Sequence, residues 1–264
     1  MQATMTSQAA VRDGVRLNYI DAGSGDPALL FVHGFCGQSQ LWNAQLSEFG
    51  STNRVVAVDL RGHGQSDKPQ QAYTVAAFAD DVAWLGEHFG LDRPVLIGHS
   101  MGGSIVLEVL RTRPKFARAA VFVDAPLGPL AEDLRPLIME IYDGLQSEKF
   151  RDVAVHFHNL LFREDTDHTV KEQVQSGIAV VPQRTMTTAF KSVLGTLPKD
   201  DSSYVPLPVP TIYVRAETQP VTEDQLQRRF PDMKVITVDA AHFLHMEKPQ
   251  QFNGILREFL ESIK

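Results

Sequence analysis

Cysteine is nearly absent. Cys36 is the one thiol among 264 residues, so no intrachain disulfide can form, and a reducing compartment is the expectation. Long apolar runs are missing as well. No stretch approaches membrane-spanning length, and Met1 to Ala10 lacks the apolar core of a secretory signal. A cytoplasmic chain away from membranes is expected. Positive charge is in deficit: 25 Lys and Arg against 32 Asp and Glu leave a net charge of -7. Nucleic acid, which needs clustered cations, is therefore not an expected partner. Metal-ligand spacings such as H-E-x-x-H are not found, and His156-Phe157-His158 has no cysteine nearby and reads as ordinary polar residues. No metal and no cofactor are expected. What the chain does have is 43% apolar residues, enough to build the core of one large domain or of a domain with an insertion.

Its pattern is an alternation. Ala9 to Ile20 reads as a hairpin turning at Asp13-Gly14. Ala28 to Val32, Arg54 to Val58, Pro94 to Ile97 and Ala119 to Val123 are short continuous apolar runs, the kind buried on both faces of a parallel sheet. Gln40 to Phe49, Thr74 to Phe89 and Ser104 to Arg111 carry apolar residues at helical spacing. From 127 to 205 the strands stop, and 134–145, 150–162, 170–178 and 186–194 read as helices. Strands resume at Thr211 to Arg215 and Lys234 to Val238, with helices at Glu223 to Phe230 and Pro249 to Ile263. The chain thus divides into an α/β core, 1–126 and 206–264, and a helical insertion, 127–205.

Ile97-Gly98-His99-Ser100-Met101-Gly102-Gly103 joins a strand to a helix. A G-x-S-x-G in that setting is a nucleophile elbow. Gly98 and Gly102 let strand and helix approach, the tight turn exposes the Ser100 hydroxyl, and the Met101 N–H opens a helix whose dipole favours negative charge. A serine hydroxyl needs a base. Of nine histidines, His242 is placed best, in the loop after the last strand, where the carboxyl ends of parallel strands gather functional groups. His245, Cys36, Asp239, His63 and Asp59 read as structural.

These motifs resemble the α/β-hydrolase superfamily over nearly the whole chain. They are His33-Gly34, Asp59-Leu60-Arg61-Gly62-His63-Gly64-Gln65-Ser66, Gly98-His99-Ser100-Met101-Gly102-Gly103, and Ala241-His242-Phe243 with Glu247-Lys248-Pro249. The resemblance implies an α/β-hydrolase fold: a mostly parallel central sheet flanked by helices, with the insertion as a lid. It implies Ser100 as nucleophile, His242 as general base, and the N–H groups of Phe35 and Met101 as oxyanion hole. An Asp nucleophile, as epoxide hydrolases and haloalkane dehalogenases use, is excluded by Ser100. The family's acid usually stands in a turn after the strand at Thr211 to Arg215, and there this chain has Gln219. Asp124, where some members carry the acid, is the preferred replacement, and Glu217 is the alternative. Phe35, Tyr142, Phe157, Phe162 and Phe243 are the expected substrate-binding side chains of a largely apolar pocket. The implied reaction is hydrolysis of a small or medium ester or lactone by a monomer or homodimer. C–C bond hydrolysis of a diketone, cofactor-free haloperoxidase-type chemistry and a hydrolase-like receptor are the alternatives.

Overall fold

The computed structural model describes residues 6–200, 202 and 204–263. Its strands are β1 (Thr6–Arg12), β2 (Val15–Ala22), β3 (Leu29–Val32), β4 (Val55–Val58), β5 (Val95–His99), β6 (Ala119–Val123), β7 (Thr211–Ala216) and β8 (Lys234–Val238). They form one sheet in the order β1-β2-β4-β3-β5-β6-β7-β8. β2 pairs antiparallel with β1 and β4, and every pair from β4 to β8 is parallel. The apolar runs behave as their composition requires. Leu30, Val32, Val56, Val58 and Leu96 pack on one face, while Leu29, Phe31, Val55, Val95 and Ile97 pack on the other. Successive strand residues point to opposite faces, so continuous apolar sequence means two buried faces. Each such side chain contributes roughly 1.5–3 kcal/mol by leaving water.

The first face is covered by α2 (Val75–His88), α3 (Met101–Thr112) and α8 (Glu223–Arg229). The second is covered by α1 (Asn43–Phe49) and α10 (Pro249–Ser262). The helix expected over 40–49 is split, with a 3-10 turn at Ser39–Trp42 leading into α1. A short helix α9 (Leu244–Glu247) precedes α10. β3 sits between β4 and β5, so the chain leaves it toward one side and later returns to the other. Such a switch point opens a crevice at the strand carboxyl ends. The loop after β3 and the turn after β5 both open into it.

Between β6 and β7 the chain inserts α4 (Arg135–Leu145), α5 (Phe150–Asn159), α6 (His168–Val180) and α7 (Gln183–Thr196), and these pack around Ile141, Leu145, Ile178, Met186 and Phe190. α7 is bolted to the core. Its Thr188 Oγ1 accepts the Tyr73 N–H at 2.9 Å and its Ser192 Oγ accepts the Val75 N–H at 2.9 Å, the second satisfying a donor that the start of α2 leaves open. No helix among the described residues is long and apolar enough to cross a membrane.

Candidate active site

Ser100 lies between β5 and α3 at φ 53° and ψ -122°, a conformation costing about 1–3 kcal/mol for a residue with a side chain. Close packing holds it there. A Cβ on Gly98 would stand 2.3 Å from the Gly102 carbonyl oxygen, and one on Gly102 2.3 Å from that of Val32. Only glycine permits strand and helix to meet at that distance. The Ser100 N–H donates to the Val123 carbonyl at 2.9 Å and its carbonyl accepts the Gly103 N–H at 2.8 Å. The loop after β3 comes up against the same point, since a Cβ on Gly34 would stand 2.9 Å from Ser100 Cβ. The Met101 and Phe35 N–H groups have no hydrogen-bond acceptor among the described residues. Met101 is the first residue of α3, where N–H groups are left open by helix geometry.

His242 and Ser100 line the same cavities. Three bonds fix His242: its Nδ1 donates to Asp124 Oδ2 at 2.7 Å, its backbone N–H to the Leu161 carbonyl at 3.3 Å, and its carbonyl accepts from His99 Nε2 at 3.0 Å. The second oxygen of Asp124 accepts the Ala216 N–H at 2.7 Å. This carboxylate is 2% exposed, and the strand register delivers it: β6 and β7 pair at Val123 and Val214, which leaves Asp124 beside the end of β7. Glu217 points elsewhere. Its side chain is 66% exposed and lies 4.0 Å from Arg163 Nη1. Gln219 lines the cavity, with its carbonyl held by Arg215 at 2.8 Å. Glu247 accepts the Ala241 N–H at 3.1 Å and so holds the loop carrying His242.

The other candidates of the sequence are buried or tied to structure. Asp59 accepts the N–H groups of Ser39 at 2.6 Å and Gln65 at 2.9 Å, and the Asn18 amide at 2.9 Å. Burial pushes His63 and His245 down to about 3, with other histidines adding to the shift. His99 and His33 are lowered for the same leading reason. Burial raises the Cys36 thiol well above its ordinary value, which removes it as a nucleophile near neutral pH. Asp239 is paired with Arg163.

Over Ser100 and His242 opens a cavity of about 370 Å³. Its walls are apolar, and neither Lys nor Arg lines it. Phe35, Phe157 and Phe162 line it as expected, and Phe243 lines a side pocket of about 10 Å³ next to Ser100. Tyr142 is a correction: it lines neither space and stacks on Phe190 at 6.5 Å instead, because its helical position turns it toward the neighbouring helices. Much of the wall escaped the sequence reading: Leu134, Leu137 and Ile138 of the α4 region, Val193, Leu194 and Leu197 alongside Phe190 in the α7 region, and Thr218 to Val221. The first two sets recur at i, i+3, i+4 spacing, a detectable signal, but one that core packing produces equally. His158, read from the sequence only as an ordinary polar residue, is 2% exposed.

The fold agrees with comparison to known proteins. The chain is 26% identical over 283 residues to epoxide hydrolase 3 of Xenopus tropicalis, covering 94% of this chain and 75% of that one. It is 34% identical over 155 residues to a bifunctional esterase/perhydrolase of Acinetobacter calcoaceticus, over 56% of each chain. Among solved structures, a thermophilic esterase from Thermogutta terrifontis superposes with a TM-score of 0.81 at 25% identity, covering 100% of this chain and 99% of that one. Est816, an N-acyl homoserine lactone degrading enzyme, does so at 0.81 and 25%, covering 96% and 100%. Residues 27–249 match the model of the alpha/beta hydrolase fold, and with the eight-stranded sheet and its elbow already in place, the chain belongs to that family.

Proposed function

We propose that the protein is a serine hydrolase that cleaves a small or medium carboxylic ester or lactone whose bulk is apolar. One observation carries the reading: Ser100, a His242 held by Asp124, and Phe35 and Met101, whose N–H groups have no acceptor among the described residues, line one apolar cavity. In the first half-reaction His242 Nε2 takes the Ser100 proton as Oγ attacks the carbonyl carbon. The carbonyl oxygen becomes an oxyanion and accepts from Phe35 and Met101. Collapse breaks the bond to the alcohol oxygen, and the imidazolium returns the proton to it. Water then repeats the sequence on the acyl-enzyme, releasing the acid and restoring Ser100. Asp124 keeps the Nδ1–H tautomer in place and offsets the charge on the imidazolium.

The wall decides the substrate class. Without Lys or Arg in it, a carboxylate or phosphate would enter unpaired, at a cost of several kcal/mol. An uncharged acyl chain gains about 0.8 kcal/mol per buried CH₂. Uncharged esters and lactones are therefore favoured over the anionic diketones of C–C hydrolases. The test is a series of p-nitrophenyl esters from acetate to octanoate together with uncharged lactones. Turnover with kcat/KM rising along the series until the cavity is full, and lost in Ser100→Ala, supports the reading. Absence of turnover across the series, or turnover retained without the hydroxyl, refutes it.

A further inference from the structure

The inserted helices do more than roof the cavity. His158 ends the last turn of α5 with its ring between two backbone carbonyls: Nδ1 is 2.7 Å from the Ala154 oxygen and Nε2 3.2 Å from the Phe35 oxygen. Carbonyl oxygens only accept, so a neutral ring serves one of them at a time. The Ala154 carbonyl already receives the His158 backbone N–H through the helix ladder. The Phe35 carbonyl has no other donor among the described residues. By length alone the 2.7 Å contact favours a proton on Nδ1, but the Ala154 carbonyl has its ladder donor and the Phe35 carbonyl has only this ring. Buried polar groups find partners, so a proton on Nε2, with Nδ1 drawing back from Ala154, is the arrangement that leaves neither carbonyl unserved. Burial, the leading cause, lowers the pKa of this ring, which keeps it neutral.

The Phe35 it holds lines the cavity beside Ser100, and its N–H, which has no acceptor among the described residues, is the one assigned to the oxyanion site. The ring of His158 also stacks on the Phe35 ring, 5.9 Å between centroids at 15°, so Phe35 is gripped at both its side chain and its carbonyl. The segment needs such a grip. The next residue, Cys36, has φ 55°, a left-handed conformation that persists where surroundings enforce it. α6 presses on the next peptide of the same loop, since a Cβ on Gly177 would stand 2.3 Å from the Cys36 carbonyl oxygen. Three residues after His158, the Leu161 carbonyl accepts the His242 N–H at 3.3 Å. One short stretch of the insertion therefore touches both the oxyanion loop and the base loop.

We propose that His158 is a positioning residue for the oxyanion hole: its Nε2–H fixes the Phe35 carbonyl and with it the aim of the Phe35 N–H, so docking of α5, and not the core alone, completes the site. This rests on the hydrolase reading above. Removing an oxyanion donor outright costs about 10²–10³ in kcat; misaiming one costs less. The test compares His158→Gln, His158→Asn and His158→Leu on a p-nitrophenyl ester. A Gln side-chain amide reaches about as far as imidazole Nε2, whereas an Asn amide stops at the level of Nδ1.

The Asn and Leu variants are expected to lose about 10- to 100-fold in kcat, with KM within about threefold of wild type. The Gln variant is expected to recover most of the loss. Affinity for an alkyl boronic acid, whose adduct places an oxygen in the oxyanion site, falls in step with kcat, while affinity for a long-chain alcohol competing for the apolar cavity is unchanged. Unfolding midpoints are recorded for all three variants, and Gln against Asn remains the deciding pair if the Leu variant folds poorly. Gln no better than Asn, or losses carried by KM, overturns the proposal. A fluorophosphonate separates the two ideas: labelling of wild-type Ser100 with equal kcat in all three variants sinks the role of His158 alone, whereas an unlabelled, inactive wild type removes the hydrolase reading and this proposal with it.

Discussion

Replacing Asp124 by Asn changes one atom and should disable the site twice over. The carboxylate has two acceptors in use. Oδ1 takes the Ala216 N–H and Oδ2 takes His242 Nδ1–H, each at 2.7 Å. An amide has one oxygen and one NH₂. With its oxygen toward Ala216, its NH₂ faces Nδ1 and forces the proton onto Nε2, which then cannot take a proton from Ser100. With its oxygen toward His242, the NH₂ meets the Ala216 N–H donor to donor, inside a region where Asp124 is 2% exposed. Charge is the second loss. A carboxylate and an imidazolium with centres about 4 Å apart attract by about 4 kcal/mol at an effective dielectric near 20, which is about 10³ in rate. kcat on a p-nitrophenyl ester is expected to fall about 10³-fold or more with KM little changed, while Glu217→Gln stays within about twofold of wild type. Stopped assays on both purified variants measure this. A Glu217→Gln loss equal to that of Asp124→Asn would refute the reasoning, as would an Asp124→Asn enzyme with nearly full kcat.

Two further outcomes follow from packing and titration. Gly102→Ala puts a methyl 2.3 Å from the Val32 carbonyl oxygen, a backbone atom that cannot move aside. The variant is expected to lose several kcal/mol of stability, seen as a sharply lowered melting temperature or as insoluble protein, and a wild-type melting curve would contradict the elbow packing. His63 and His245 are held at about 3 in the fold and return to about 6.5 when unfolded. The unfolded chain then binds more protons, so the stability they confer is complete above about pH 6.5 and lost as pH falls from there toward 3. Each contributes a loss of about 2 kcal/mol between pH 7 and pH 5. Urea midpoints at those two pH values should drop accordingly, and a midpoint that holds or rises would contradict burial of the neutral rings.

The sequence carried the sheet well because its strands are buried on both faces: runs such as Leu29-Leu30-Phe31-Val32 admit no other reading once helices alternate with them. Ser100 was legible because an elbow needs small residues at fixed offsets, and Gly98, Gly102 and Gly103 stand at them. Which carboxylate faces His242 was legible only as a preference for Asp124 over Glu217, because it depends on the register of β6 against β7, a pairing of residues some 90 positions apart (Val123 with Val214) that no local pattern encodes. Tyr142 failed for a related reason. A helical stripe marks a buried face, yet it does not say whether that face meets a cavity or another helix. His158 was hidden more thoroughly, since a lone histidine in a helix looks the same whether it meets water or a carbonyl 123 residues away in sequence.

Everything chemical here depends on a serine hydroxyl made nucleophilic by its surroundings. Intact-mass spectrometry after brief exposure to a fluorophosphonate bearing a short alkyl chain reads this directly. One phosphonyl group per chain is expected, on the peptide containing Ser100, absent in Ser100→Ala and formed far more slowly in Asp124→Asn. No adduct on the folded wild-type protein, or an adduct on Cys36 in place of Ser100, would contradict it.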